Sequence, residues 1–583
     1  MAATVADLWS SAVARPPAAP AYLTQAADRT WAERSWDEAA REVDELAAGF
    51  VALGIRAPDR VAIIARTRLE WALCDWALIA IGALVVPIYP TSSAIECAYI
   101  LGNSGARFLV CEDDALREKL EPVRRELEAL EQVVLIEDAP DSGSLSLEDV
   151  RARGRAYLEE APDAVEQART AIGEDDPLTI VYTSGTTGPP KGCVLSQRNY
   201  RAMVEMVLAV EGLVEPGDRL LLHLPLAHTF ARLISFLAPA VGLTIAFCPD
   251  STGLTDALTT VRPTLFPSVP RLYEKIAAGV HAKVEQSPRA RRAVAQWAIG
   301  VGARASALQL AGQPLGPSLA FERVLADRLV LSRLRAGLGG QLRFAVCGGA
   351  PLPVEVAEFF HGLGIVILEG YGLTESTTAV AFNRPDAYRL GSVGLPLPGV
   401  ELRLAPDGEI FACGPNIFQG YYRDEDATRA VLSPDGWLAT GDLGAFDADG
   451  FLTITGRKKE IIVTANGENV APQRIEDALK TSRYISEAVV IGDRRPYLVA
   501  LLVLDQAEVE QVARGDEEVR ELVEGELARV NQALGRRDRV RRFAILTRDL
   551  SQEASELTPT LKVRRHVCEE HFRDEIERLY LRV

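Results

Sequence analysis

No two of the eight cysteines form a CxxC pair. Cys74, Cys97, Cys111, Cys193, Cys248, Cys347, Cys413 and Cys568 are scattered along the chain. That spacing argues against a zinc ribbon or a disulfide framework and fits a reducing compartment. Several lie in apolar runs and read as buried thiols. Positive charge is also scarce, with 63 Lys and Arg against 81 Asp and Glu and a formal net charge of -18. So acidic a surface repels nucleic acid and leaves room only for local phosphate sites. Long hydrophobic runs are missing too. The two most apolar stretches, 76–89 and 234–248, are short for a bilayer span and are interrupted by Pro87 and Pro239. Each reads as a buried helix followed by a strand. The opening MAATVADLWSSAVARPP has no basic segment leading into an apolar one, so no signal peptide is expected and the chain reads as cytoplasmic. No internal repeat is visible.

What is present is a long chain of 583 residues, 48% hydrophobic, which calls for more than one core. Residues 36–175 alternate β-branched runs with helical patterns. Strands are expected at 60–65, 84–89 and 107–111, and helices at 69–82 and 93–104. This is the βαβ signature of a parallel sheet. Further strands are expected at 178–183, 219–224, 244–248, 264–269, 342–347 and 365–369. From about 391 to 455 short alternating strands with Gly and Asp turns read as a small β-unit. The last ~125 residues mix strands at 488–491 and 497–504 with Glu- and Arg-rich helices, and read as an α+β domain of ordinary size.

Residues 281–340 reverse the charge balance through Lys283, Arg289, Arg291, Arg292, Arg304, Arg323, Arg328, Arg333 and Arg335. Trp297, Ile299, Leu308, Leu310 and Leu331 supply apolar positions. Basic amphipathic helices of this kind lie on anionic membranes, and they also occur as solvated helical excursions; both readings stay open.

The sharpest motif is Tyr182-Thr183-Ser184-Gly185-Thr186-Thr187-Gly188-Pro189-Pro190-Lys191-Gly192, following an apolar strand. Small residues let backbone N–H groups approach an anion, the hydroxyls add donors, and Lys191 adds a point charge. The spacing of Gly185 and Gly188 and the prolines before Lys191 exclude a Walker A loop. Four motifs follow in order: Cys347-Gly348-Gly349-Ala350-Pro351; Glu369-Gly370-Tyr371-Gly372-Leu373-Thr374-Glu375; Trp437-Leu438-Ala439-Thr440-Gly441-Asp442; and Gly456-Arg457-Lys458-Lys459-Glu460. Near the C-terminus stands Leu557-Thr558-Pro559-Thr560-Leu561-Lys562. Tyr371 offers a flat face for a base, Thr374 a hydroxyl, and Glu375 a hard oxygen for Mg²⁺.

In this order the motifs resemble those of the adenylate-forming (AMP-binding) superfamily, which includes acyl-CoA synthetases, luciferases and adenylation domains. The resemblance covers nearly the whole chain and is nearest to long-chain fatty acyl-CoA synthetases, which share the Pro-Thr-Leu-Lys form at 559–562. It implies an α/β fold: a large N-terminal domain of doubly wound sheets with a small β-barrel-like unit (1–457), hinged to a small α+β C-terminal domain (458–583). It also implies ATP, Mg²⁺ and coenzyme A. Matching positions assign the triphosphate to Thr183, Ser184, Gly185, Thr186, Thr187, Gly188 and Lys191. The adenine falls to Gly349, Ala350, Glu369, Gly370, Tyr371 and Gly372, and the α-phosphate to Thr374. The metal goes to Glu375 with Thr183, and the ribose to Asp442 and Arg457. Lys459 matches the hinge, Gly467 the pantetheine tunnel, Lys562 the catalytic lysine and His228 a position beside the acyl pocket. Two departures stand out: Val463 replaces a lysine common in relatives, and Leu561 replaces a glycine.

The implied reaction is fatty-acid activation to an acyl-adenylate, then transfer to CoA. Two rivals remain open at this point: an enzyme that loads a carrier protein, and an inactive nucleotide- or lipid-binding scaffold. Oligomeric state and chain length are not legible in the sequence.

Overall fold

A computed structural model describes residues 4–13, 15–16, 19–26, 28–139, 143–183, 189–558 and 562–581. The expected phosphate-loop residues Ser184, Gly185, Thr186, Thr187 and Gly188 lie outside the described residues. So do Pro559, Thr560 and Leu561.

Two large sheets organise the first three-quarters of the chain. The eight-stranded one runs Gly420–Tyr421, Lys191–Ser196, Pro177–Thr183, Leu84–Ile88, Arg60–Ile64, Phe108–Cys111, Gln132–Leu135, Leu145–Ser146. The nine-stranded one runs Leu395–Pro396, Ala381–Phe382, Ile367–Tyr371, Phe344–Cys347, Leu265–Ser268, Arg219–Leu222, Thr244–Phe247, Pro20–Gln25, Trp31–Ser35. The central strands of both are parallel; antiparallel strands stand at both edges of the nine-stranded sheet and at one edge of the eight-stranded sheet. A parallel strand covered on both faces needs no polar alternation. Leu84–Ile88 accordingly has all five residues buried.

Alternate residues feed opposite layers. Val61 and Ile63 join Leu222, Ile245 and Phe247 in a core lying between the two sheets. Ala62 and Ile64 face outward onto the helix Ala94–Ser104 and its neighbours. Leu221, Ala246 and Phe266 face the outer helices of the other sheet. The result is two sheets sharing a middle helical layer. The helix Leu69–Ala80 lies in that layer and is buried on every side, its Asp75 bidentate to the equally buried Arg232 at 2.5 and 2.8 Å. Local signals agree with this placement. Ser93 and Glu96 form a reciprocal capping box at the start of Ala94–Ser104, and Gly105 closes it in the left-handed conformation.

The segment expected to be barrel-like is instead an open four-stranded antiparallel sheet, Glu401–Leu404, Glu409–Cys413, Leu438–Phe446, Leu452–Arg457. Its neighbours in sequence, Leu395–Pro396 and Gly420–Tyr421, are taken up by the two large sheets. It therefore lacks the strands with which to close.

Beyond 461, a hairpin of Ile462–Val463 and Asn469–Val470 precedes a three-stranded sheet of Ile485–Ile491, Leu498–Leu504 and Val540–Ile545. Both faces of that sheet are covered by apolar clusters drawn only from residues 462–580. Contact with the larger part includes the ion pairs Arg564–Glu96 (3.2 Å), Arg483–Glu285 (2.9 Å) and Arg271–Glu487 (3.5 Å). The eight cysteines are free, and seven are buried. No helix among the described residues is long and apolar enough to cross a membrane.

Candidate functional site

The strands Pro177–Thr183 and Lys191–Ser196 pair antiparallel, with Thr183 opposite Lys191, so the Ser/Thr/Gly run joins two paired strands instead of leading into a helix. Gly192 is required by packing: a Cβ there would stand 2.7 Å from Ile180. Lys191 emerges at the strand start, its ammonium 5.1 Å from the ring centre of Tyr421. The Tyr421 hydroxyl donates to Glu375 Oε1 at 2.7 Å. Glu375 and Thr183 both neighbour the buried Cys193, whose thiol is pushed up by burial and by Glu375. One patch thus gathers Thr183, Lys191, Glu375 and Tyr421.

Glu375 sits on a tight turn, Thr374–Ser376, directly after the strand Ile367–Tyr371. The glycines before it are fixed by close approach. A Cβ at Gly370 would meet Phe382 at 2.6 Å, and one at Gly372 would meet the Thr378 carbonyl at 2.2 Å. The turn continues through two β-branched residues with positive φ, Thr377 (53°) and Thr378 (121°). Such conformations cost about 1–3 kcal/mol each and persist only where the surroundings hold them. Here the clamp is Asn416, whose amide donates to the carbonyls of Ser376 (3.0 Å) and Ala379 (2.9 Å). The Asn416 carbonyl oxygen of the backbone accepts from the Thr377 hydroxyl at 2.6 Å.

The adjoining patch is built on the four-stranded sheet. Asp442 is buried and lies opposite Arg457 across the Leu438–Phe446/Leu452–Arg457 pair. Its two oxygens accept from the Tyr371 hydroxyl (2.8 Å) and from Arg457 Nε (2.9 Å). Burial and the Asp442 charge push the Tyr371 hydroxyl well above its ordinary range, so it remains a donor. Burial opposes the charge on Arg457, but Asp442 and Glu460 outweigh it and raise its pKa.

Lys562 closes the cleft from the C-terminal unit. Its backbone N–H donates to the Thr558 hydroxyl at 3.0 Å. The side chain keeps contact with solvent, yet its ammonium is crowded by both halves of the molecule. Burial first, then repulsion from Arg457, pull its pKa down to about 8 against the attraction of Asp442, Glu460 and Glu375. His228 caps the helix Thr229–Leu237, its Nδ1 accepting from the Phe230 N–H at 3.2 Å. Burial, with Lys562 nearby, pulls its pKa to about 4, so the ring is neutral with the proton on Nε2.

Other expected residues stand apart. The Glu369 side chain turns to the Leu352 backbone N–H (3.4 Å), and burial pushes it up to about 7. Gly349, with φ of 86°, and Ala350 form an exposed turn after the strand Phe344–Cys347. Lys458 and Lys459 are both exposed, and Lys458 is tied to Asp407 (2.7 Å) and Glu409 (2.6 Å). Gly467 is exposed near the tip of the 462–470 hairpin with φ of 76°, and a Cβ there would meet nothing. Tyr421 and Asn416 were missed by sequence reasoning. Each acts on residues 37 to 46 positions away, and no local spacing signals such a contact.

Among the described residues no three His, Cys, Asp or Glu side chains cluster to hold a metal. A magnesium ion carried on phosphates needs little protein coordination. The Glu375 oxygen that Tyr421 does not engage is a hard donor of the kind such an ion takes.

Residues 9–422 match the family model described as AMP-binding enzyme, and residues 459–583 match that of the AMP-binding enzyme C-terminal domain. The long-chain-fatty-acid–CoA ligase FadD15 of Mycobacterium bovis is 39% identical over 570 residues, covering 95% of this chain and 93% of that protein. The long-chain-fatty-acid–CoA ligase ACSBG1 of Mus musculus is 35% identical, covering 92% and 80%. Among solved structures, the anthranilate CoA ligase AuaEII in complex with anthranoyl-AMP superposes with a TM-score of 0.73 at 22% identity, covering 98% of each chain. The adenylation domain of a carboxylate reductase from Mycobacterium chelonae gives 0.76 at 22% identity, covering 99% and 91%.

Proposed function

The chain belongs to the AMP-binding enzyme family, and from that premise we propose that it is an ATP-dependent long-chain fatty acid–CoA ligase. In the first half-reaction a carboxylate oxygen of the fatty acid attacks the α-phosphorus of ATP and expels pyrophosphate. In the second the CoA sulfur attacks the acyl carbon, its proton passes to solvent, and AMP leaves. The observation that carries this reading is the convergence of Lys191, Glu375, Asp442, Arg457 and Lys562 on one cleft from separate regions of the chain.

Phosphoryl transfer of this kind is mostly positioning and charge stabilisation. Asp442 keeps lone pairs for the ribose hydroxyls, with Tyr371 and Arg457 holding its orientation. The ring of Tyr371 and the small-residue turn Gly349–Ala350 are assigned to the adenine. Thr374 and Lys562 address the α-phosphate. Lys191 and the hydroxyl-rich loop 183–188 take the leaving pyrophosphate. Mg²⁺, held by Glu375 with Thr183, would neutralise phosphate charge. Neutral His228 keeps an Nε2–H donor free to orient the acyl carboxylate. For the second step the unit 458–583 turns about Lys459 and presents Gly467 to the pantetheine arm. The polar contacts between the halves and the exposed position of Gly467 support this alternation. The basic segment 281–340 would bring the enzyme to a membrane surface.

The test is fatty-acid-dependent exchange of labelled pyrophosphate into ATP, followed by thioester formation with CoA or with a phosphopantetheinylated carrier. The reading expects exchange and CoA thioester. Exchange with transfer only to the carrier would make this a carrier-loading enzyme, and no exchange would make it a scaffold.

A further inference from the structure

The segment 281–340 begins at the end of the helix Pro270–Glu285 and folds as the helices Arg289–Leu310 and Pro317–Ala326, the latter running on without a break through a π-helical turn Asp327–Leu331 into a last α-helical turn Ser332–Ala336. One side of the second helix is buried: Ala326 and the following Leu331 pack with Ala298, Val301 and Leu363. The other side carries large apolar groups that face nothing. Phe321 is 71% exposed, Val324 68%, Leu325 40% and Leu329 42%. Their spacing of three, four and eight residues puts them along one side of a helix. Arg328 is exposed within the same stripe, and Arg333 follows it. A contiguous apolar stripe on a monomer's surface marks an interaction face.

Charge decides what covers it. The segment holds nine Lys and Arg against three Asp and Glu, in a chain of net charge -18. All three acids are already paired, Glu322 with Arg304, Asp327 with Arg335 and Glu285 with Arg483. A second copy would set two like-charged faces against each other. An anionic lipid surface complements both the apolar stripe and the arginines.

We infer that the Phe321–Val324–Leu325–Leu329 stripe inserts shallowly into an anionic bilayer, with Arg328 and Arg333 at the headgroups. The helix would lie in the plane of the surface, its apolar side ~5–10 Å below the headgroup level. This rests on the membrane contact proposed above and adds that the contact is insertion by this one helix, beyond attraction by diffuse charge.

Vesicle co-sedimentation of the full chain separates the cases. Wild-type protein should bind phosphatidylglycerol-containing vesicles. Phe321→Glu with Val324→Glu should lower partitioning roughly tenfold or more, at low and at high salt. Arg328→Glu with Arg333→Glu should lower it mainly at low salt, where the Debye length is long. Neither pair should change turnover of a short, water-soluble acid. If wild type binds but the Phe321/Val324 variant binds equally well, the insertion inference fails and charge-driven contact survives. If wild type ignores such vesicles, both fall, and the acyl-CoA ligase reading still stands on its own assay. If wild type is a dimer that the Phe321/Val324 variant makes monomeric, the stripe is a self-interface and the inference is overturned.

Discussion

Lys562 is the residue proposed to serve adenylation, and its environment makes a pH prediction. Its ammonium is the active form, and crowding in the cleft pulls its pKa to about 8. The kcat/KM for pyrophosphate exchange reports the free enzyme, so it should hold level below that pH and fall as pH rises through it. Lys562→Arg should move that alkaline limb upward, and an unmoved limb would assign it to another group. His228, already neutral above about 4, should add no inflection at ordinary histidine pH. Lys562→Ala should cost adenylation ~3 kcal/mol, about a hundredfold. Thioester formation from supplied acyl-adenylate should survive far better. At the metal, Glu375→Gln removes charge but little volume, and should raise the Mg²⁺ needed for half-maximal exchange. Tyr421→Phe, which removes only the hydroxyl that holds Glu375, should shift the same titration by less. A Glu375→Gln titration identical to wild type would refute the assignment.

Among the elements, the turn after Ile367–Tyr371 is the most tightly specified. Gly372→Ala places a Cβ 2.2 Å from the Thr378 carbonyl, so the strained turn must move and Glu375 with it. Exchange should fall steeply while the melting temperature drops by only a few degrees; full exchange activity would show that the turn does not position the site. The hairpin at Gly467 makes the complementary prediction. Gly467→Ala and Gly467→Leu share the strain of a positive φ, but only leucine adds bulk. Leucine should impair acyl transfer well beyond alanine, with pyrophosphate exchange spared in both; equal loss of exchange would contradict the alternation.

Much at this scale was legible from residues alone. The apolar run at Leu84–Ile88 and the helical pattern over 93–104 announced their elements, because burial on both faces and helical periodicity are local patterns. The open sheet at 401–457 was not legible, because the loss of Leu395–Pro396 and Gly420–Tyr421 to other sheets is decided by distant partners. Asn416 and Tyr421 escaped for the same reason.

For the whole molecule, the two halves have separate cores and meet in part through ion pairs; Arg483–Glu285 is exposed and worth little when broken, whereas Arg564–Glu96 is largely buried. That is the energetics a rotation between half-reactions requires, because no apolar core has to be opened. Lys562 lies among the charged groups of the cleft while Gly467 is exposed to solvent, which is the arrangement the proposed cycle needs for its adenylating step. The central claim remains chemical: fatty-acid oxygen attacks the α-phosphorus of ATP. It is tested most directly by supplying a fatty acid whose carboxylate carries heavy oxygen, with ATP, Mg²⁺ and CoA, and analysing the products by mass spectrometry. The account predicts acyl-CoA and pyrophosphate, with one heavy oxygen in the phosphate of AMP. Heavy oxygen in inorganic phosphate alongside ADP, or acyl-CoA formed with unlabelled AMP, would contradict it.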